Sequence, residues 1–353
     1  MKGDEGVSRT TIVPAAVAAA LALSLSGTRP LALGAEVLRA VGGVPAHLAG
    51  RFEEPIAFHR TASGTYLVFD RRAHAVYEVD VRRDVVRTLV DIGPEAGRLL
   101  DPSAFDSSPD GIFAVADAPN LVERVQFFSA AGVRIGGFGL PGRASARITA
   151  GPLVLSGVAS LRFTGRSVLI NQPETGSLVT EYGLAGTPVR TFGTLRPTGQ
   201  EHDRDLHLAL NVGLPVVNPR GGFYFVFVAG EPRFRKYDGT GALVFERLVQ
   251  GREVDALVAA LPTRWPRRRV GGEELPLVPP TIRAAAADPE GRLWLSLVAP
   301  YTYVFDEDGD RVRVVQFEGA GPLTPSSFFF AGRGRLLVTP GLFEFDVGPA
   351  PAR

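Results

Sequence analysis

Cysteine is absent from all 353 residues. That absence excludes structural disulfides, Cys-bound zinc, thiol catalysis and a lipid-modified N-terminal Cys. Lysine is nearly absent too: Lys2 and Lys236 are the only two, so the basic residues are almost all Arg, and no cluster of them recurs at regular spacing. Basic and acidic residues number 38 and 37, and removing residues 1–35 leaves the two signs equal. A nucleic-acid binder needs a basic surplus gathered on one face, which this chain lacks. A Gly-Lys-Ser/Thr loop, a dinucleotide fingerprint, a Gly-x-Ser-x-Gly elbow and a His-Glu-x-x-His helix are missing as well. What the chain does have is glycine and proline, 41 and 28 residues, without a short-period repeat. That argues against collagen and helical bundles and for many short elements joined by tight turns. A hydrophobic share of 45% is too high for a mainly disordered chain.

Residues Lys2 to Arg9 are polar, and Ile12 to Leu25 form an almost unbroken apolar run. The run is short for a bilayer span, which needs about 20 residues, and it matches the apolar stretch of a secretory signal peptide. Residues 1–35 are therefore expected to be a leader, cut after Ser26 or after Ala35. The mature chain would then be periplasmic or extracellular, with no stable transmembrane span. An uncleaved N-terminal membrane anchor is the alternative.

From residue 36 onward a degenerate unit recurs: an apolar strand, a polar turn ending in Gly, a second apolar strand, then an aromatic strand and another turn. Its turn glycines are Gly64, Gly111, Gly165, Gly221, Gly291 and Gly334. Repeats of roughly 40 residues or more are the mark of propellers and solenoids. The cleanest copy runs Arg283 to Ala287, turn Asp288-Pro-Glu-Gly291, Leu293-Trp-Leu295, then Tyr301 to Phe305 and the turn Asp306 to Gly309. Each copy makes a small antiparallel sheet whose two faces need neighbours, and closing a ring leaves no face open. Six copies predict an all-β, six-bladed propeller over residues 36–353. The last copy supplies three strands only, and Glu36 to Val41 has the pattern of a fourth, so an N-terminal strand is expected to complete the last blade.

The elements Gly50-Arg-Phe52-Glu-Glu-Pro55, Asp288-Pro-Glu-Gly291 and Phe305-Asp306-Glu-Asp-Gly309 resemble the six-bladed NHL-repeat, TolB-like propellers. The resemblance spans residues 36 to 353. It implies a ring with a central channel and with ligand or partner sites at the loop mouths. Such propellers include protein-binding scaffolds as well as some lyases and lactonase-type hydrolases, so fold by itself does not choose a function.

Candidate sites lie where the chain departs from the repeat. The connection from Arg196 to Leu214 contains Glu201-His-Asp-Arg-Asp-Leu-His207. There His202, His207, Asp203 and Asp205 offer nitrogen and oxygen ligands for zinc or calcium. The plainer reading is a solvated polar loop with no cofactor. His59 and Asp106 hold comparable places after the first and second inner strands, and Arg162, Asn218 and Asp288 follow in later copies. Those places could converge at one mouth of the channel around a polar ligand. Alternatively, Asn218 and Asp288 make Asx turns before Pro. Asp306 to Asp310 opens like a calcium loop, but Arg311 and Phe317 stand where Gly and Glu are needed, so a hairpin turn is expected.

The largest irregularity is an inserted helix and loop at residues 250–282. Glu253 to Leu261 has the pattern of a short helix stopped by Pro262, and Trp265, Arg267 and Arg268 follow as possible partner anchors. The expectation is an exported, monomeric, non-catalytic propeller that recognises a protein, a peptide or a cell-envelope polymer through loops at one face. The alternative is a metal-dependent hydrolase or lyase at the channel mouth.

Overall fold

Four consecutive segments of the chain fold as four-stranded antiparallel meanders, each strand paired with the next in sequence. The computed structural model describes residues 34–141, 146–150, 153–156, 160–270, 273–332 and 334–348, so the apolar N-terminal run lies outside the described residues. The first sheet contains Pro55–Arg60, Tyr66–Asp70, Ala75–Asp80 and Val85–Val90. The second contains Ala104–Ser107, Phe113–Asp117, Arg124–Phe128 and Arg134–Gly139. Leu161–Phe163, Ser167–Asn171, Ser177–Gly183 and Pro188–Thr194 make the third, and Gly213–Val217, Phe223–Phe227, Arg233–Tyr237 and Leu243–Leu248 the fourth.

Apart from two separate two-stranded hairpins, the remaining strands form one nine-stranded sheet, in which the short strand Pro322–Leu323 pairs only with Arg311–Glu318. Ile282–Ala287, Leu293–Leu297, Thr302–Phe305 and Arg311–Glu318 make one meander, and Ser327–Phe330, Arg335–Thr339 and Phe343–Asp346 make another. Strand Glu36–Gly43 joins them. Its second half pairs antiparallel with Phe343–Asp346, and its first half runs parallel to Val315–Glu318. The Arg313 guanidinium donates to the Glu36 carboxylate at 2.8 Å, fastening this strand to the earlier meander. The arrangement is all-β and propeller-like.

Burial explains the strand sequences. The second strands Tyr66–Asp70, Phe113–Asp117, Ser167–Asn171 and Leu293–Leu297 are buried at every position. Strands covered on both faces need continuous apolar runs rather than alternation. Outer strands such as Leu243–Leu248 are exposed or half-buried along their length, which is why charge enters there. Apolar clusters fill the gaps between successive meanders. Phe58, Val68 and Val79 of the first sheet also pack on Leu337 and Leu342 near the end of the chain, and the Tyr66 hydroxyl donates to Glu344 at 2.8 Å across the same gap. The first strands of the meanders approach one another in order, and Ser327–Phe330 lies against Pro55–Arg60.

Turn chemistry is local. Asp288 Oδ1 accepts from the backbone N–H groups of Glu290 and Arg292, and Asp306 Oδ1 from those of Asp308 and Asp310. Gly291 closes the first of these turns at φ +83°, a conformation that costs an L side chain. A β-bulge recurs between third and fourth strands, at Val76/Tyr77, Phe127/Phe128, Glu181/Tyr182, Lys236/Tyr237 and Val304/Phe305. The pairing of Glu36–Gly43 with Phe343–Asp346 carries one as well, at Ala40/Gly42. Bulges raise the local twist, and outer strands need it to follow the sheet.

The α-helices and the two extra hairpins all interrupt connections that lead into first strands, whereas the 3-10 turns Pro119–Leu121 and Pro173–Thr175 link second strands to third. Helix Ala46–Ala49 precedes Pro55–Arg60, and hairpin Ala146–Ala150/Leu153–Ser156 precedes Leu161–Phe163. Helix Arg204–Ala209 precedes Gly213–Val217. Helix Arg252–Ala259 and hairpin Arg267–Val270/Glu273–Pro276 precede Ile282–Ala287. Among the described residues, no helix is long and apolar enough to cross a membrane.

Candidate functional site

A cavity of about 160 Å³ lies where the first strands meet, and each of the six contributes to it: His59, Phe105, Arg162, Leu214, Arg283 and Ser327 are among its walls. Much of the lining comes from the opening residues of those strands, Ile56 and Ala57, Ser103 and Ala104, Arg283 and Ala284. The cavity is therefore set toward the face at which the first strands begin, the face that also receives the added helices and hairpins.

At its inner end three polar side chains from successive strands meet, each two residues before its strand's turn. His59 is buried, its ring stacked on Phe329 at 4.1 Å and set edge-on to Phe105 at 5.2 Å. Its Nδ1 is 2.7 Å from Ser107 Oγ and 3.9 Å from Asp106 Oδ1. Asp106 Oδ2 accepts from the Phe163 backbone N–H at 2.7 Å. The Arg162 guanidinium reaches Asp106 Oδ1 at 3.4 Å and the Ala285 carbonyl, on the fifth of the first strands, also at 3.4 Å. Its buried Nε has no hydrogen-bond partner among the described residues.

Burial and the nearby Arg162 charge push the His59 imidazole down to about 3. Burial pushes the Asp106 carboxyl up, while Arg162 and the Phe163 and Ser107 backbone N–H groups hold it down. His59 is thus neutral at physiological pH, and the 3.9 Å approach to Asp106 is not an ion pair. Ser107 and Asp106 also face the same imidazole nitrogen. A hydroxyl–imidazole–carboxylate relay needs the two on opposite ring nitrogens and a base that titrates near neutrality. The cluster meets neither requirement. Its capacity is for polar and charged recognition rather than nucleophile activation.

Of the residues singled out from the sequence, the cavity gathers His59 and Arg162, with Asp106 directly behind them. Asn218 lies in its turn, where Oδ1 accepts from the Arg220 N–H at 2.9 Å and Nδ2 donates to Glu307 at 3.3 Å. Asp288 accepts from the Trp294 indole N–H at 2.9 Å and from Arg292 Nε at 2.6 Å. Trp265 is half-buried against the apolar cluster of Leu206, Leu210 and Val278. Arg268 lies on the inserted hairpin, its backbone paired with Leu275.

The 201–207 stretch is structured by its own contacts. Asp203 caps helix Arg204–Ala209 by accepting from the Leu206 N–H at 3.2 Å, and its second oxygen accepts from Arg267 at 2.6 Å. This bond ties the 196–214 connection to the 250–282 insertion. His207 Nδ1 is 2.8 Å from Thr198 Oγ1 and 3.8 Å from Glu201, whereas His202 is exposed and Asp205 sits in the first helical turn. Among the described residues, no group of three or more His, Asp or Glu side chains is placed to hold a metal ion.

Sequence reasoning missed Ser107, Phe329 and Arg283. Counting back from the turn in every copy finds Phe329 at the level of His59, and Ser107 adjoins Asp106. Arg283 carries no such signal, because it occupies a bulge: Ile282 and Ala284 pair with successive residues Leu297 and Ser296, leaving Arg283 unpaired between them. A bulge turns a side chain away from its regular direction.

No family model matches the chain, and no curated protein matches it. Among solved structures it is similar to a protein of unknown function from Bacteroides caccae, at 12% identity over 74% of this chain and 81% of that one, with a TM-score of 0.46. It is also similar to a streptogramin B lyase, at 12% identity over 82% and 92% of the two chains, TM-score 0.48. A catalytically inactive virginiamycin B lyase from Staphylococcus aureus with quinupristin is 11% identical over 82% and 78%, TM-score 0.47.

Proposed function

We propose that residues 36–353 form a six-bladed propeller of the NHL-repeat, TolB-like kind, exported after loss of the N-terminal leader. In this reading it acts as a monomer to recognise a protein, a peptide or an envelope polymer. Strand Glu36–Gly43 serves as the outer strand of the last blade. The bulge it shares with the other third-to-fourth strand pairs supports that role, as does the packing of the chain's end on the first sheet.

The observation that carries the function is positional. The central cavity is lined largely by the opening residues of the first strands, and every α-helix and extra hairpin interrupts a connection entering those same strands. One face thereby gains both a recessed polar site and a raised, irregular rim, which is how propellers of one fold acquire different ligands. The test uses arrays of peptides and envelope polymers probed with the whole chain and two charge reversals. Arg268→Glu with Arg269→Glu alters the rim hairpin, and Arg82→Glu with Arg83→Glu alters a turn at the opposite ends of the strands. The rim pair is expected to weaken binding at least tenfold and the other pair to leave it unchanged. The opposite pattern, or no binding at all, overturns the reading.

The metal-dependent hydrolase or lyase alternative is checked by elemental analysis before and after chelator, with the melting temperature followed in parallel. A stoichiometric metal whose removal lowers the melting temperature would favour it over non-catalytic recognition.

A further inference from the structure

We propose that the central cavity is a carboxylate subsite, in which the guanidiniums of Arg162 and Arg283 hold a carboxylate carried on a short apolar stem. The inference deepens the recognition reading and rests on it for the placement of the ligand's remainder.

Arg162 lines the cavity with its hydrogen-bonding capacity largely unspent. Its two contacts, to Asp106 and to the Ala285 carbonyl, are both 3.4 Å, beyond the usual N–H···O range, and Nε has no partner among the described residues. A half-satisfied guanidinium inside a protein is costly unless another acceptor completes it. Arg283 comes from the strand whose Ala285 carbonyl Arg162 contacts, and the bulge sets it on the cavity wall, exposed and without an ion pair among the described residues. The two arginines therefore border one space. Planar forks of this kind bind carboxylates through paired N–H···O bonds.

Charge and size narrow the ligand. His59 is neutral and Arg162 already shares its guanidinium with Asp106 at 3.4 Å, which suits a monoanion better than a dianion such as phosphate. The rest of the wall is mostly apolar, with Ile56, Leu161, Leu214, Phe105 and Phe328, and it includes Ser103, Ser160, Ser326 and Ser327. Cavities of about 150 Å³ admit a ring of six carbons, so a carboxylate with a stem of a few carbons fills the available space.

The test is calorimetric titration of the full chain with propionate, propionamide, inorganic phosphate and a short peptide ending in alanine. Propionate is expected to bind and its neutral amide to bind at least tenfold more weakly, with phosphate weaker than propionate. Tighter binding of the alanine peptide than of propionate assigns the carboxylate to a chain terminus, and equal or weaker binding assigns it to a free acid. Replacing Arg162 strips the buried Asp106 of a partner, so Arg283→Gln is the primary variant. It is expected to cost at least tenfold in propionate affinity with the melting temperature unchanged, and Arg283→Lys is expected to recover part of the loss. Equal affinity for acid and amide, an unaffected Arg283→Gln variant, or no carboxylate binding overturns the proposal. A chain that binds arrayed partners but no carboxylate overturns this subsite alone. One that binds propionate but no arrayed partner overturns the recognition reading alone.

Discussion

His59 shows how far a neighbourhood changes a side chain. Folded, it takes up its proton at about 3 and, unfolded, near 6.5. Between those values the unfolded chain binds the additional proton, so stability falls as pH falls, by up to about 1.4 kcal/mol per pH unit. Asp106, raised by burial, acts with the opposite sign above the ordinary carboxylate range. Urea unfolding of the wild type and of His59→Asn isolates the imidazole's share: the variant should show the shallower loss of stability between pH 6.5 and 3. Identical slopes would show that His59 protonates in the folded protein. Arg196 presents the other kind of buried charge. Its guanidinium donates to the Leu210 carbonyl at 2.9 Å and the Ala229 carbonyl at 2.8 Å, and lies 4.7 Å from the Phe227 ring. Burial lowers it to about 10, which leaves it charged at neutral pH. Arg196→Met keeps the stem but orphans those carbonyls, and should destabilise by about 3 kcal/mol. An unchanged urea midpoint would mean that water replaces the guanidinium.

At the scale of elements, strand Glu36–Gly43 has the most consequence for its length. It is hydrogen-bonded on both sides, to Phe343–Asp346 and to Val315–Glu318, so its loss exposes two strand edges at once. Removing residues 36–43 should abolish the cooperative unfolding transition of the whole domain or lower its midpoint by well over ten degrees. A midpoint near that of the intact chain would mean the strand merely decorates the sheet. A point substitution gives a finer measure. Gly43 has φ +136°, and a Cβ there would sit 2.2 Å from the Leu342 carbonyl oxygen. Gly43→Ala should therefore cost about 2 kcal/mol or more, read by chemical denaturation. The strand's apolar pattern was legible in the sequence, as was its likeness to a fourth strand. Its parallel pairing with Val315–Glu318 was not, because the copy ending at Glu318 already has four strands and shows no missing one for it to supply.

For the molecule as a whole, one face carries the insertions while the other carries short Asx turns. The turns were legible residue by residue, since Asp or Asn before Pro-x-Gly satisfies its own backbone whatever surrounds it. The insertions were visible only as interruptions. Helix Arg252–Ala259 could be anticipated from its periodicity and Pro262, but the hairpin Arg267–Val270/Glu273–Pro276 hid among charged residues that seemed to belong to a loop. The leader reading also belongs to this scale. If the proposed leader is cut, N-terminal sequencing of the protein should begin at Gly27 or Glu36; a chain retaining Met1 would instead support the anchored alternative.

The sequence by itself determined the all-β class, the recurrence of the unit and the chemistry of its turns, because these depend on neighbours a few residues apart. It also marked His59, Asp106 and Arg162 as equivalent places in successive copies. Only the tertiary structure decided that these three converge, that Asn218 turns to Glu307 and Asp288 to Trp294 instead of the cavity, and that Arg283 joins the cavity from a bulge. Convergence of strands from separate sheets depends on the sum of many strand twists and registers, and a single unpaired residue such as Arg283 redirects a side chain without leaving a pattern in the chain around it.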